Sequence, residues 1–204
     1  IKRYGIIGCG MMGQEHLSNI NLIDDAIAYA IYEPNINMQK MAKKLAPDAK
    51  FYDSLDKILS DENIDCWLIV SPNHLHMDQL EQLAGIPHRP ILVEKPLFTE
   101  IKHLERIKNF SIKYSAPVWV AMEYRYMPPI AELIKRQNNV TGSIKMLSIR
   151  EHRFPFLPKV DDWNRFNKNS GGTFVEKCCH FFDLMRLITG SNPTKIMASG
   201  GQAV

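Results

Sequence analysis

Apolar and polar residues follow two different periods along the first 120 residues of the chain. Short apolar runs rich in Ile, Val and Ala alternate with longer amphipathic stretches. Strands buried on both faces of a parallel sheet produce the first pattern, and surface helices produce the second. Strands are predicted over residues 4–7, 26–32, 66–70, 90–94 and 118–122. Helices are predicted over residues 11–21, 37–45, 55–59, 75–83 and 100–114. This alternation predicts a doubly wound α/β domain over residues 1–122.

The pattern changes after residue 122. Two prolines suit the first turn of a helix, and alternating polarity favours strands. The predicted elements are a helix over 128–138, strands over 143–153 and 195–202, and a helix over 173–188, with a loop over 154–170. We therefore assign residues 123–204 to the start of an α+β domain. We expect this domain to be incomplete, because two strands are marginal on their own and leave edges exposed.

Composition and charge narrow the class of protein. Apolar residues make up 45% of the chain and charged residues 23%, which are ordinary globular values. A net charge of +3 is too small for a nucleic-acid footprint, and no apolar run approaches the roughly 20 residues of a membrane span. The four cysteines have no C-x-x-C spacing. We expect reduced core thiols and a cytoplasmic protein that binds neither nucleic acid nor a membrane.

A glycine motif follows the first predicted strand and opens the first predicted helix. Gly8, Gly10 and Gly13 form G-x-G-x-x-G, and Met11 and Met12 begin the helix. Glycine permits a tight turn, close approach of a pyrophosphate and close packing of the helix on its strand. The unpaired N–H groups of the helix start favour phosphate. The context predicts a dinucleotide site over these five residues.

Glu33 lies twenty residues after Gly13, at the end of the second predicted strand. A carboxylate there can accept hydrogen bonds from the adenosine ribose, and it would repel a 2′-phosphate. No Arg follows to bind such a phosphate. We therefore expect NAD to be the cofactor rather than NADP.

A short turn follows the third predicted strand. It consists of Ser71, Pro72 and Asn73, and Asn73 is a good helix N-cap. His74 and His76 lie two apart on a starting helix, so they point in different directions and make a poor pair of metal ligands. We predict no metal site, and assign the turn and His76 to the cofactor.

Glu94, Lys95 and Pro96 end the next predicted strand. In open α/β sheets, ligands bind outside the carboxyl ends of the strands. Pro96 restricts Lys95 to an extended backbone and so fixes the direction of its side chain. We predict that Glu94 and Lys95 lie at the ligand.

Four motifs, in this order, resemble the glucose–fructose oxidoreductase, inositol dehydrogenase and MocA-like family. They occupy residues 8–13, 71–76, 94–96 and 171–180. The resemblance implies a Rossmann domain followed by an α+β domain with an open, mainly antiparallel sheet. It implies NAD(P)-dependent hydride transfer at a hydroxyl or carbonyl of a sugar, cyclitol or related polyol. It also implies a homo-oligomer formed through the C-terminal sheet.

The resemblance also implies roles for individual residues. Lys95 would contact the nicotinamide and the reacting oxygen. The family's acidic-x-x-x-His pattern matches Glu176 and His180. Its Trp-Arg element near the nicotinamide is approximated by Trp163 and Arg165, with one residue inserted between them.

Proton transfer is assigned to the predicted helix over 173–188. Glu176 and His180 are four apart and share one face of it. The unperturbed imidazole pKa of about 6.5 suits a general base in oxidation and an acid in reduction, so we assign this role to His180. Glu176 would orient the imidazole or bind a substrate hydroxyl, and Asp183 would bind substrate or make a structural hydrogen bond. A catalytically silent NAD-binding sensor is the alternative, although such a protein has no need of a proton-transfer pair.

Overall fold

A six-stranded parallel sheet organises the first half of the computed structural model, which describes residues 1–152 and 157–199. The strands are β1 (Lys2–Ile7), β2 (Ala26–Tyr32), β3 (Lys50–Tyr52), β4 (Cys66–Ile69), β5 (Ile91–Val93) and β6 (Val118–Val120). Their order is β3-β2-β1-β4-β5-β6, and every neighbouring pair is parallel. This is the order of a Rossmann sheet, whose ligand crevice lies between β1 and β4. The predicted fold class is confirmed.

Nine α-helices lie within the described ranges, together with short 3-10 turns. They are α1 (Met11–Ile20), α2 (Ile36–Leu45), α3 (Leu55–Leu59), α4 (His76–Ala84), α5 (Leu104–Lys113), α6 (Pro128–Val140), α7 (Asn167–Ser170), α8 (Gly172–Glu176) and α9 (Cys179–Thr189). The 3-10 turns are Asn73–Leu75, Ile101–His103, Glu123–Tyr126 and Val160–Arg165. None of the described helices is long and apolar enough to cross a bilayer.

Both faces of the sheet are buried under helices. Ile6 and Ile7 are adjacent in β1 and belong to two different core clusters, because successive side chains of a strand point to opposite faces. One cluster contains Leu17 of α1, and the other contains Leu80 of α4 and Phe110 of α5. This arrangement explains the continuous apolar runs of the strands.

The prediction missed one strand of the sheet. β3 has three residues and pairs with β2 at the edge of the sheet, at Ala30, Ile31 and Tyr32. Three residues are too few to establish a period, so the neighbouring strand rather than the local pattern determines this element.

The chain divides into two compact units. The first contains Ile1–Met122 and Phe154–Cys179, and the second contains Glu123–Arg153 and His180–Val204. The first unit therefore contains the sheet, α7 and α8, and the second contains α6 and most of α9. The predicted domain boundary at residue 122 stays a prediction.

Three predicted elements in the second half differ from the structure. Residues 143–152 and 195–199 form no strand, while residues 153 and 200–202 of those predictions lie outside the described residues. A strand needs a hydrogen-bonded neighbour, which alternating polarity alone does not provide. The predicted helix over 173–188 is broken between α8 and α9.

Candidate active site

The glycine loop between β1 and α1 packs directly against the turn after β4. Gly8 has a φ of 93°, and a Cβ at this position would lie 2.7 Å from the Cα and N of Ser71. A Cβ on Gly13 would lie 2.7 Å from the carbonyl oxygen of Gly8. A Cβ on Gly10 would have no atom within 4 Å, and Gly10 lines a cavity. Gly8 and Gly13 thus serve packing, and Gly10 leaves space for a ligand beside the start of α1.

Glu33 is fixed at the end of β2 by the backbone of two loops. Its carboxylate oxygens accept hydrogen bonds from the N–H of Cys9 at 2.5 Å and the N–H of Asn35 at 2.8 Å. The side chain is buried yet lines the cavity. Its neighbours in the cavity wall include Pro34 and Met38, which carry no charge. The site can therefore accept hydroxyl donors and disfavours an added phosphate.

The cavity, of about 930 Å³, belongs to the first unit. That volume lies in the range typical of small-molecule sites. Most of the predicted cofactor and catalytic residues line it: Gly8, Gly10, Met11, Met12, Glu33, Ser71, Pro72, Asn73, Glu94, Lys95, Trp163 and Glu176. The structure thus brings together residues from the ends of β1, β2, β4 and β5 and from the later residues 158–176.

Three predicted cofactor residues do not line this cavity: Gly13, which serves packing, His76 and Arg165. His76 is fully buried, with Nδ1 2.8 Å from the carbonyl oxygen of Pro96 and Nε2 2.9 Å from that of Ser71. Burial lowers its pKa, although both carbonyls act in the opposite direction. His76 therefore joins two loops of the cavity wall instead of lining it. Arg165 is exposed, pairs with Asp162 at 3.4 Å and does not line the cavity.

Glu94 is a buried anchor beside Lys95. One of its oxygens lies 2.7 Å from Nε2 of His16 on α1, and the other accepts the Lys95 N–H at 3.2 Å. Burial raises the pKa of Glu94, but the hydrogen bond and charge of His16, with the charge of Lys95, outweigh burial and lower it. His16 was not predicted as a site residue, although it lies one helical turn after Gly13 and so faces the same side of α1.

The break between α8 and α9 changes the predicted proton-transfer pair. The N–H groups of Lys177 and Cys178 both bond to the Thr173 carbonyl, at 2.9 and 3.1 Å, and this wide turn ends α8. The carbonyl of Glu176 accepts a hydrogen bond from Lys95 Nζ at 3.1 Å. Glu176 and His180 therefore belong to different helices, and the prediction that they share a helix face is wrong.

The second unit contains His180 and Asp183. The imidazole of His180 is buried and stacks on Tyr124, with ring centres 4.2 Å apart and planes 7° apart. Its Nε2 lies 3.4 Å from a carboxylate oxygen of Glu123. The carboxylate of Asp183 accepts two hydrogen bonds from the Arg125 guanidinium. Of the two roles left open for Asp183, these contacts favour the structural one.

The comparisons with known proteins identify a family for both parts of the chain. A family model described as "Oxidoreductase family, NAD-binding Rossmann fold" matches residues 2–122, and one described as "Oxidoreductase family, C-terminal alpha/beta domain" matches residues 132–203. Both are models of the family that the sequence motifs resemble. Myo-inositol 2-dehydrogenase of Thermotoga maritima is 28% identical over 204 residues, which are 99% of this chain and 59% of that protein. The chain therefore spans about three-fifths of that relative's length.

Solved structures share the fold. An NAD-binding protein from Listeria innocua superposes with a TM-score of 0.81 at 21% identity, covering 94% of this chain and 56% of that one. Myo-inositol dehydrogenase of Lactobacillus casei, crystallised with NAD(H) and myo-inositol, gives a TM-score of 0.63 at 24% identity. The match covers 69% of this chain and 42% of that one.

Proposed function

The chain belongs to the glucose–fructose oxidoreductase, inositol dehydrogenase and MocA-like family, and we propose that it is an NAD-dependent oxidoreductase. It would transfer hydride between nicotinamide and a hydroxyl or carbonyl carbon of a sugar, cyclitol or related polyol. The observation that carries this proposal is one cavity lined by the glycine loop, Glu33, Lys95 and Glu176. This cavity combines groups suited to a dinucleotide with an ammonium and a carboxylate suited to a reacting hydroxyl.

The residues of the first unit fit NAD. The space at Gly10 and the N–H groups at the start of α1 suit a pyrophosphate, and Glu33 suits ribose hydroxyls. Asn73 is buried in the cavity wall, and its Nδ2 has no hydrogen-bond partner among the described residues. A buried donor without a partner is costly, so a bound ligand that accepts this hydrogen bond would be favoured. No Arg follows Glu33 in the sequence to bind a 2′-phosphate, which favours NAD over NADP.

Bound nicotinamide would supply the hydride chemistry, and side chains of this protein would manage the charge and the proton. The Lys95 ammonium would stabilise negative charge on the reacting oxygen, with its direction set by the hydrogen bond to the Glu176 carbonyl. The Glu176 carboxylate would bind a substrate hydroxyl. His180 would take the hydroxyl proton in oxidation and return it in reduction, an assignment that rests on the family pattern. Glu123 and Tyr124 would hold its imidazole in place.

The test is NADH formation by the full chain with a panel of sugars, cyclitols and polyols. We expect turnover of at least one compound, and a loss of about 10²-fold or more in Lys95→Met. Lys102→Met is the matched control, since Lys102 follows the same strand but is exposed and pairs with Glu100. NADH binding without turnover of any compound would favour the silent sensor. Turnover that survives in Lys95→Met would contradict the assigned role.

The resemblance also carries two proposals about the whole protein. We propose that it is cytoplasmic and that it forms a homo-oligomer through its C-terminal sheet. Light scattering on the purified protein tests the second proposal, and a monomer at micromolar concentration would contradict it.

A further inference from the structure

A second lysine lines the candidate active site, and no sequence motif points to it. Lys159 is half-buried and lines the same cavity as Lys95 and Glu176. Within residues 1–152 and 157–199, its ammonium makes no hydrogen bond or ion pair. Removing a cation from water without an acceptor costs free energy. Its position therefore points to an acceptor that a ligand supplies.

The charge of Lys95 acts on Lys159. Burial lowers the pKa of Lys159, and the Lys95 ammonium lowers it further. The carboxylates of Glu176 and Glu94 act in the opposite direction but do not cancel these effects. Glu94 is itself engaged by His16 at 2.7 Å. Positive charge at Lys159 is thus incompletely balanced by the protein, which favours an anionic group in the ligand.

The backbone after Lys159 has an uncommon conformation. Asp161 and Asp162 have φ values of 53° and 49°, in the left-handed region that few residues other than glycine adopt. Lys159, Asp161 and Trp163 line the cavity, whereas Arg165 is exposed. Lys159 thus supplies a cation to the cavity, which Arg165 does not line.

We propose that Lys159 is a substrate-positioning residue that binds a carboxylate of the substrate, so that the protein prefers sugar acids to neutral sugars and cyclitols. The inference rests on the proposed oxidoreductase function and narrows its substrate class. A carboxylate would pair with the half-buried ammonium, where charges attract more strongly than in bulk water. A hydroxyl at the same place would leave the Lys159 charge without a counter-charge.

Calorimetric titration of sugars into the full chain with saturating NADH tests the proposal. The probes are D-glucuronate and D-galacturonate, each compared with its neutral parent, D-glucose or D-galactose. We expect at least one acid to bind about tenfold or more tighter than its parent. Lys159→Met should abolish that preference, and Lys159→Arg should keep most of it. Lys168→Met is the control, because Lys168 is exposed on α7 and does not line the cavity.

Two results would overturn the inference. One is a wild-type protein that binds neither acid more tightly than its parent, and the other is a Lys159→Met variant that keeps the preference. NADH titration of the same proteins separates these results from the proposed function. If the wild type fails to bind NADH, the proposed function fails. The sugar titration, repeated without nucleotide, then still decides the role of Lys159.

Discussion

Two alanine substitutions in the glycine loop should separate folding from cofactor binding. In Gly8→Ala, the new Cβ would lie 2.7 Å from backbone atoms of Ser71, and the residue would keep a φ of 93°. In Gly10→Ala, the new Cβ would meet no atom within 4 Å, and φ is already −64°. We therefore expect Gly8→Ala to destabilise the protein and Gly10→Ala to weaken NADH binding.

The magnitudes follow from these contacts. Left-handed strain in a residue other than glycine costs about 1–3 kcal/mol, and forcing apart two packed backbones costs a similar amount. We thus expect Gly8→Ala to lose roughly 3 kcal/mol, which lowers Tm by about 6–12 °C for a chain of this size. Gly10→Ala should keep the wild-type stability or gain up to about 1 kcal/mol, because alanine restricts the unfolded chain.

Thermal unfolding without nucleotide and NADH fluorescence titration measure the two effects separately. Gly10→Ala should bind NADH about tenfold or more weakly, a loss of ~1.4 kcal/mol. The reasoning fails if Gly10→Ala binds NADH as tightly as the wild type, because the space beside Gly10 would then not hold the cofactor. It also fails if Gly8→Ala unfolds at the wild-type temperature.

Three further predictions concern charge and proton transfer. Glu33→Gln should reduce the preference for NADH over NADPH by about tenfold in paired titrations, since it removes the repulsive charge but keeps the side-chain shape. An unchanged ratio of the two dissociation constants would contradict the role of Glu33. His180→Gln should lower turnover by about 10²-fold while NADH affinity stays within about twofold, and equal losses of both would point to misfolding. Asp65 has a pKa lowered to about 2 from 3.8, first by its hydrogen bonds with Arg3. Its stabilising contribution is present above pH 3.8 and is lost as the pH falls towards 2. In urea unfolding at neutral pH, Asp65→Asn should therefore have a lower free energy of unfolding than the wild type. The two free energies should converge in acid.

The sequence predicted those parts of the fold whose causes are local. Each long strand of the sheet is an apolar run, because both of its faces are buried, and each helix beside it has an apolar stripe. The glycine motif and Glu33 were found for the same reason, since the loop, the helix start and the next strand end are close in sequence. β3 and the strands expected over 143–153 and 195–202 depend on a neighbouring strand, and local patterns carry no information about that neighbour.

The departures in the candidate site have one physical cause, which is that contacts between distant residues override local spacing. Glu176 and His180 have the separation of a helical pair, yet the chain turns at Lys177 and Cys178 and places them in two helices. The Glu176 carbonyl accepts a hydrogen bond from the ammonium of Lys95, which is 81 residues away in the sequence. His180 instead has Glu123 as its carboxylate neighbour. Spacing proposes polar residues for the site, but only the three-dimensional contacts assign each one its partner, and the partner determines its chemistry.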